Sequence, residues 1–134
     1  MAGYSGTPLI KKLGIKAGFR LMFINTPSNY DEVLGELPDD VEIKAELENS
    51  LNFIQFFTKE RTELEAQFPI LMAALSKSGM LWVSWPKKAS KVPTDLNEDV
   101  IRGIGLDNGL VDVKVCAVDK IWSGLKFVYR VKDR

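Results

Sequence analysis

The stretch "LWVSWPKKASKVPTDLNED", residues 81–99, decides how the chain is read. Leu81 to Trp85 form a short apolar run, as expected of a strand covered on both faces. Pro86 cannot donate to a central ladder, so the strand stops there and Lys87, Lys88 and Lys91 follow in a turn. Asp95 and Glu98 then stand at capping-box spacing, and Leu96, Val100 and Ile104 line the helix they predict. A buried strand that passes through a loop into an amphipathic helix is the repeating unit of an α/β fold.

Outward from this unit the same grammar recurs. Upstream, Thr58 is the predicted N-cap of a helix with Leu64, Phe68, Leu71, Met72 and Leu75 on one stripe. Pro69 predicts a kink or two shorter helices, and "SKSG" (76–79) ends the segment before "MLWVSW" (80–85). "RLMFIN" (20–25) and "LNFIQFFTK" (51–59) read as doubly buried strands, and "VEIKAEL" (41–47) alternates like a strand with one wet face. "TPSNY" is a turn and "YDEVLGEL" a brief helix. Residues 1–18 form a lead-in broken by Gly3, Gly6, Pro8, Gly14 and Gly18, with one helical turn at Leu9 to Leu13. Downstream, Gly105 and Gly109 end the helix. "VDVKVCAVD" (111–119) and "LKFVYRV" (125–131) are strands joined by "KIWSG". The expectation is a single α/β domain over 1–134: a compact Rossmann-like, mostly parallel sheet, helices on both faces, and a C-terminal antiparallel hairpin.

Composition narrows the chemistry. In 134 residues, 18 Lys and Arg balance 18 Asp and Glu, so no global field draws the chain to nucleic acid or to a membrane. No apolar run approaches the roughly 20 residues of a membrane span. Histidine is absent, which removes Ser-His-Asp and Cys-His catalysis and imidazole metal sites. The single cysteine, Cys116, excludes an internal disulfide and is expected as a buried structural thiol; with no secretory leader at the start, a cytoplasmic protein is expected. Gly103 and Gly105 lie late in a helix, so they are not a dinucleotide-binding G-x-G loop. No metal-ligand spacing and no catalytic pair is found.

"LGIKAG" (13–18), "ALSKSGMLWVSWPK" (74–87), "GLVDVKV" (109–115) and "WSGLKFVYR" (122–130) together resemble the bacterial family called domain of unknown function 3052, across nearly the whole chain. That resemblance implies a fold without an activity. More distantly the layout resembles class I methyltransferases, in which a D-x-G-x-G loop after the first strand holds S-adenosylmethionine (SAM) and an "LKPGG-strand" step comes later. "LSKSGMLWVSW" matches the later step. "FINTPSNY" (23–30) stands where the glycine-rich loop would be: Pro27 removes a donor, and the side chains of Asn25 and Thr26 are expected to fill the cofactor's space. No cofactor is therefore expected, and SAM is disfavoured.

Ligands of open α/β sheets bind beyond the carboxyl ends of the strands. Three segments meet that condition here: Asn25 and Thr26 after the first strand, Trp85, Lys87 and Lys88 after the strand that follows the kinked helix, and Trp122 and Ser123 at the final hairpin. Indole faces and lysines suit a flat anionic small molecule. The same tryptophans can instead pack on each other or on lysine stems, and the lysines can form a solvated turn. The main expectation is a non-catalytic or accessory domain binding a small anionic ligand, a protein partner or a second copy of itself. The alternative is a divergent SAM-dependent methyltransferase-like enzyme with a rewired cofactor loop.

Overall fold

A computed structural model describes residues 7–134; Gly3 and Gly6 of the lead-in lie outside the described residues. The elements are α1 (Leu9–Leu13), β1 (Arg20–Ile24), α2 (Tyr30–Leu34), β2 (Glu42–Ile43), β3 (Leu51–Phe57), α3 (Arg61–Ala74), β4 (Leu75–Pro86), α4 (Glu98–Asn108), β5 (Leu110–Ala117) and β6 (Trp122–Tyr129). They build one six-stranded sheet ordered β2-β1-β3-β4-β6-β5. β2, β1, β3 and β4 are parallel, while β6 runs antiparallel to both β4 and β5. This is the α/β Rossmann-like architecture that the alternation of elements predicts.

Strand periodicity sorts the apolar residues onto two faces. Leu21, Phe53, Phe57, Trp82 and Trp122 pack with Leu13 of α1 and with Tyr30 and Leu34 of α2. Met22, Ile54, Phe56, Val83, Trp85 and Phe127 pack with Leu64, Phe68 and Leu71 of α3 and Ile101 and Ile104 of α4. Each strand supplies both sets through its period of two, which is why β3 and the second half of β4 are apolar throughout.

Several boundaries differ from the sequence reading. β2 is only Glu42–Ile43, because the edge position offers one partner and both residues are exposed. "SKSG" does not end α3; the helix passes directly into β4 at Leu75, and these four residues lie in an irregular part of the ladder. α3 is one helix containing Pro69, not two. Pro69 and Glu65 are both exposed, so the carbonyl that loses its partner opens to solvent. Thr58 is not the cap of α3, since Glu60 holds that position. Asp95 does not cap α4 either: Asn97 accepts from the Val100 amide at 2.8 Å. Asp95 caps the other helix instead, accepting from the Arg61 amide at 2.7 Å. Gly105 lies inside α4, which ends only at Gly109 with φ of 100°. Gly124 lets the Trp82 ring approach β6; a Cβ there would stand 3.0 Å from the indole.

Candidate functional site

The chain leaves β1 through α2 on one face of the sheet, and leaves β3 through α3 on the other. Loops diverging from adjacent parallel strands open a crevice at that switch point, where ligands of open α/β sheets bind. Here the β1 and β3 ends are bridged by Asn25, whose Nδ2 donates to the Phe57 carbonyl at 3.2 Å. A cleft of about 440 Å³ lies over this bridge. Asn25, Thr58, Glu60 and Glu63 supply polar groups, and Val92 and Trp122 are part of its apolar side. That volume falls in the ordinary range for a small-molecule site.

Local chemistry holds the polar wall in place. Thr58, buried, donates its hydroxyl to Glu63 Oε1 at 2.5 Å and accepts from the Glu60 amide at 3.2 Å. The segment after β4 straps the start of α3: the Thr94 hydroxyl donates to the Lys59 carbonyl at 2.6 Å, and Asp95 caps Arg61. Across the crevice, Asp119 accepts from the Ile121 and Trp122 amides at 2.8 Å, which fixes the β5–β6 turn. Trp122 meets Phe57 edge to face, centroids 5.2 Å apart.

A buried polar line crosses the neighbouring strands. Tyr30 donates to Gln55 Oε1 at 2.5 Å, and Gln55 Nε2 donates to Ser84 Oγ at 3.1 Å. Gln55 and Ser84 are fully buried, and burial pushes the Tyr30 phenol well above the usual tyrosine range. The line ties α2 to β3 and β4, and so sets where the Asn25–Asn29 loop stands.

The residues expected at one rim are distributed. Asn25 and Trp122 line the cleft. Thr26 lines a neighbouring cleft of about 310 Å³ against α2, with Phe23, Tyr30 and Ile43. Trp85 belongs to the core beneath α3 and α4 and is 6% exposed. It cannot pack on Trp122, because Trp85 faces Ser123 and Trp122 faces Pro86 in the ladder, which puts the two indoles on opposite faces. Lys87 anchors its loop by donating its backbone amide to the Ile121 carbonyl at 2.8 Å, and Lys88 is exposed in a 3₁₀ turn. Ser123 is paired between Trp85 and Ala117 within the sheet. Among the described residues the charges lining the cleft are Lys59, Glu60 and Glu63, so carboxylates outnumber cations, opposite to the sign suited to an anionic ligand. Thr58, Glu60 and Glu63 line the cleft without having been expected there; Glu60 and Glu63, about one helical turn apart at the start of α3, were the available signal.

The loop after β1 also departs from expectation. Asn25 and Asn29 adopt φ of 60° and 63°, the left-handed region that glycine ordinarily occupies and that Asn tolerates best among the others. Asn25 turns its amide down onto Phe57, and Thr26 faces the neighbouring cleft, so neither side chain fills the crevice.

No family model matches the chain and no curated protein matches it, so the resemblance to the domain of unknown function 3052 family is not confirmed. Solved structures do match. A SAM-dependent methyltransferase from Aquifex aeolicus aligns over 89% of this chain and 86% of its own, with TM-score 0.59 and 18% identity. Magnesium protoporphyrin IX methyltransferase from Synechocystis PCC 6803 with bound SAM aligns over 91% and 74%, with TM-score 0.59 and 12% identity. A chain of the Haloferax volcanii complex with the Trm112 methyltransferase activator aligns over 90% and 86%, with TM-score 0.61 and 9% identity. The fold is that of class I methyltransferases. The neighbours agree with the methyltransferase-like alternative better than with the accessory-domain expectation. The expectation of no cofactor is corrected: the Aquifex neighbour is SAM-dependent, and the Synechocystis enzyme is seen both with SAM and with S-adenosylhomocysteine (SAH). The physical reason is that Asn25 and Asn29 reach the left-handed backbone region without glycine, so a missing glycine motif does not close the loop to a cofactor.

Proposed function

We propose that the chain is a SAM-dependent methyltransferase whose cofactor occupies the cleft over the β1/β3 switch point. The observation that carries this reading is the open crevice bounded by Asn25, Thr58, Glu60 and Glu63 in a methyltransferase fold. The donor set fits the group. Ribose hydroxyls and an α-amino group are donors that Glu60 and Glu63 accept, the excess carboxylate suits a sulfonium cation, and the Val92 and Trp122 side takes an adenine ring. When bound, SAM supplies an electrophilic methyl group and retains the carbon–sulfur electron pair as SAH. The protein's share is then orientation and exclusion of water, with no nucleophilic side chain required, so a chain without histidine is sufficient.

Titration calorimetry with SAH tests the proposal. Binding is expected, with Asn25→Ala weakening it about tenfold by releasing the bridge between the two strand ends. Thr26→Ala, in the neighbouring cleft, leaves it unchanged. An absence of heat with SAH and SAM, in protein whose fold is confirmed by circular dichroism, overturns the assignment.

A cytoplasmic location goes with this reading, supported by a free Cys116 whose thiol is raised by burial. Among the described residues no helix is long and apolar enough to cross a membrane. The expected protein partner or second copy also stays with the proposal, supported by the activator bound to the Haloferax neighbour and by exposed Val113 and Val115 on edge strand β5.

A further inference from the structure

Positive charge without counter-charge gathers away from the cofactor cleft, toward the other end of the sheet. Lys77, Ser78, Lys126 and Arg134 line a cleft of about 300 Å³ that also includes Gly79 and Val113, and no carboxylate side chain is among its described lining. Lys126 on β6 faces Lys114 on β5 directly across the ladder. Like charges in that position destabilise a sheet. Lys114 in turn donates to the Lys12 carbonyl at 3.0 Å, which brings α1 and its lysines against the same strands. Lys126 Nζ lies 3.9 Å from where a Cβ on Gly14 would stand.

Lys77 and Arg134 border the cleft from the start of β4 and from the segment after β6 and are held by Tyr129, which packs on the α3/α4 face. The Lys77 ammonium sits 4.2 Å from the centroid of the Tyr129 ring, and Arg134 Nε donates to the Tyr129 carbonyl at 3.0 Å. Arg130, the next residue, has a buried Nε without a hydrogen-bond partner. Among the described residues, Lys77, Lys126 and Arg134 take part in no ion pair, as is true of every lysine and arginine except Arg20, Lys44, Arg61 and Arg102. The Lys126 ammonium is held below the usual lysine range, first by burial and then by Lys114 and Lys16; no carboxylate offsets them. Lys77 from β4, Lys126 from β6 and Arg134 from the segment after β6 border the cleft, and the charge of Lys126 is repelled by Lys114 and Lys16. A bound anion relieves that repulsion.

We propose that the cleft between Lys77, Lys126 and Arg134 binds a phosphate group, carried by a small phosphorylated molecule or by a nucleic-acid backbone. Phosphate rather than a carboxylate fits because the cations bordering the cleft come from three segments and include a guanidinium whose terminal nitrogens can engage two oxygens. This site is independent of the cofactor assignment.

Thermal denaturation and calorimetry of the whole chain test it, with inorganic phosphate against sodium chloride at equal ionic strength. Phosphate is expected to raise the melting temperature beyond chloride. Lys126→Gln and Lys77→Ala are each expected to weaken phosphate binding about tenfold. Lys88→Ala, an exposed lysine elsewhere, retains it. Should Lys126→Gln fail to fold, Lys77→Ala and Lys114→Ala, both at exposed positions, carry the test. Pyrophosphate and a short oligothymidylate form the second arm: tighter binding of pyrophosphate assigns a small ligand, and tighter, salt-sensitive binding of the oligonucleotide assigns a backbone. Equal effects of phosphate and chloride, or a phosphate response retained in the Lys77→Ala and Lys126→Gln variants, overturn the site.

Discussion

Gly103 and Gly105 differ by two positions in α4 and by everything around them, so Ala at each isolates one contact. A Cβ on Gly105 would stand 2.0 Å from Phe127 Cε1 and 2.6 Å from Cζ. Carbon atoms in contact prefer about 3.5–4.0 Å, so the overlap exceeds an ångström. Phe127 is fully buried and meets Phe68 edge to face at 5.3 Å, which leaves the ring little room to yield. A Cβ on Gly103 has no heavy atom within 4 Å. Both replacements gain helix propensity of about 1 kcal/mol, and this gain cancels in the comparison. Overpacking of a tight core costs ~1–3 kcal/mol, and the overlap here places Gly105→Ala at the upper end. Gly103→Ala should therefore be stabilised by about 1 kcal/mol, with Gly105→Ala less stable than it by about 3 kcal/mol. For a domain of this size that separates their melting temperatures by roughly 10 °C in scanning calorimetry. A Gly105→Ala protein melting level with Gly103→Ala would refute the packing of α4 on β6.

Tyr30→Phe removes the donor to Gln55 and leaves a buried amide oxygen unsatisfied, a loss of ~1–3 kcal/mol in urea denaturation at neutral pH. The same substitution has a signature in pH. Because the folded phenol is raised, it stays protonated where the unfolded one ionises, so its stabilisation is complete below the ordinary value of 10.0 and is lost as pH climbs above it. Tyr30→Phe should show a shallower loss of stability above pH 10 than wild type; parallel profiles would refute the buried phenol. Asp95→Ala should cost about 1 kcal/mol by uncapping α3, and an unchanged urea midpoint would show that Asp95 does not serve that helix.

Local pattern carries a large part of this protein. Apolar runs at β1, β3 and β4, the α3 stripe and the turn before Trp122 are all short-range signals, and they were enough to order the elements and to place the carboxyl edge of the parallel strands. Even Asn25 could be assigned to that edge, since it directly follows a buried strand.

What the one-dimensional pattern did not contain is which distant groups meet. Asp95 can cap the helix after it or, as the fold decides, the helix 34 residues before it in sequence. Trp85 and Trp122 look equivalent until ladder register puts them on opposite faces of the sheet. Lys114 and Lys126 become neighbours only through the pairing of β5 with β6. A missing glycine motif also misleads, because positive φ is a property of the backbone that asparagine can adopt. Burial periodicity is written residue by residue; register, facing and the joining of remote loops come from long-range packing, and the charge of the crevice follows from those.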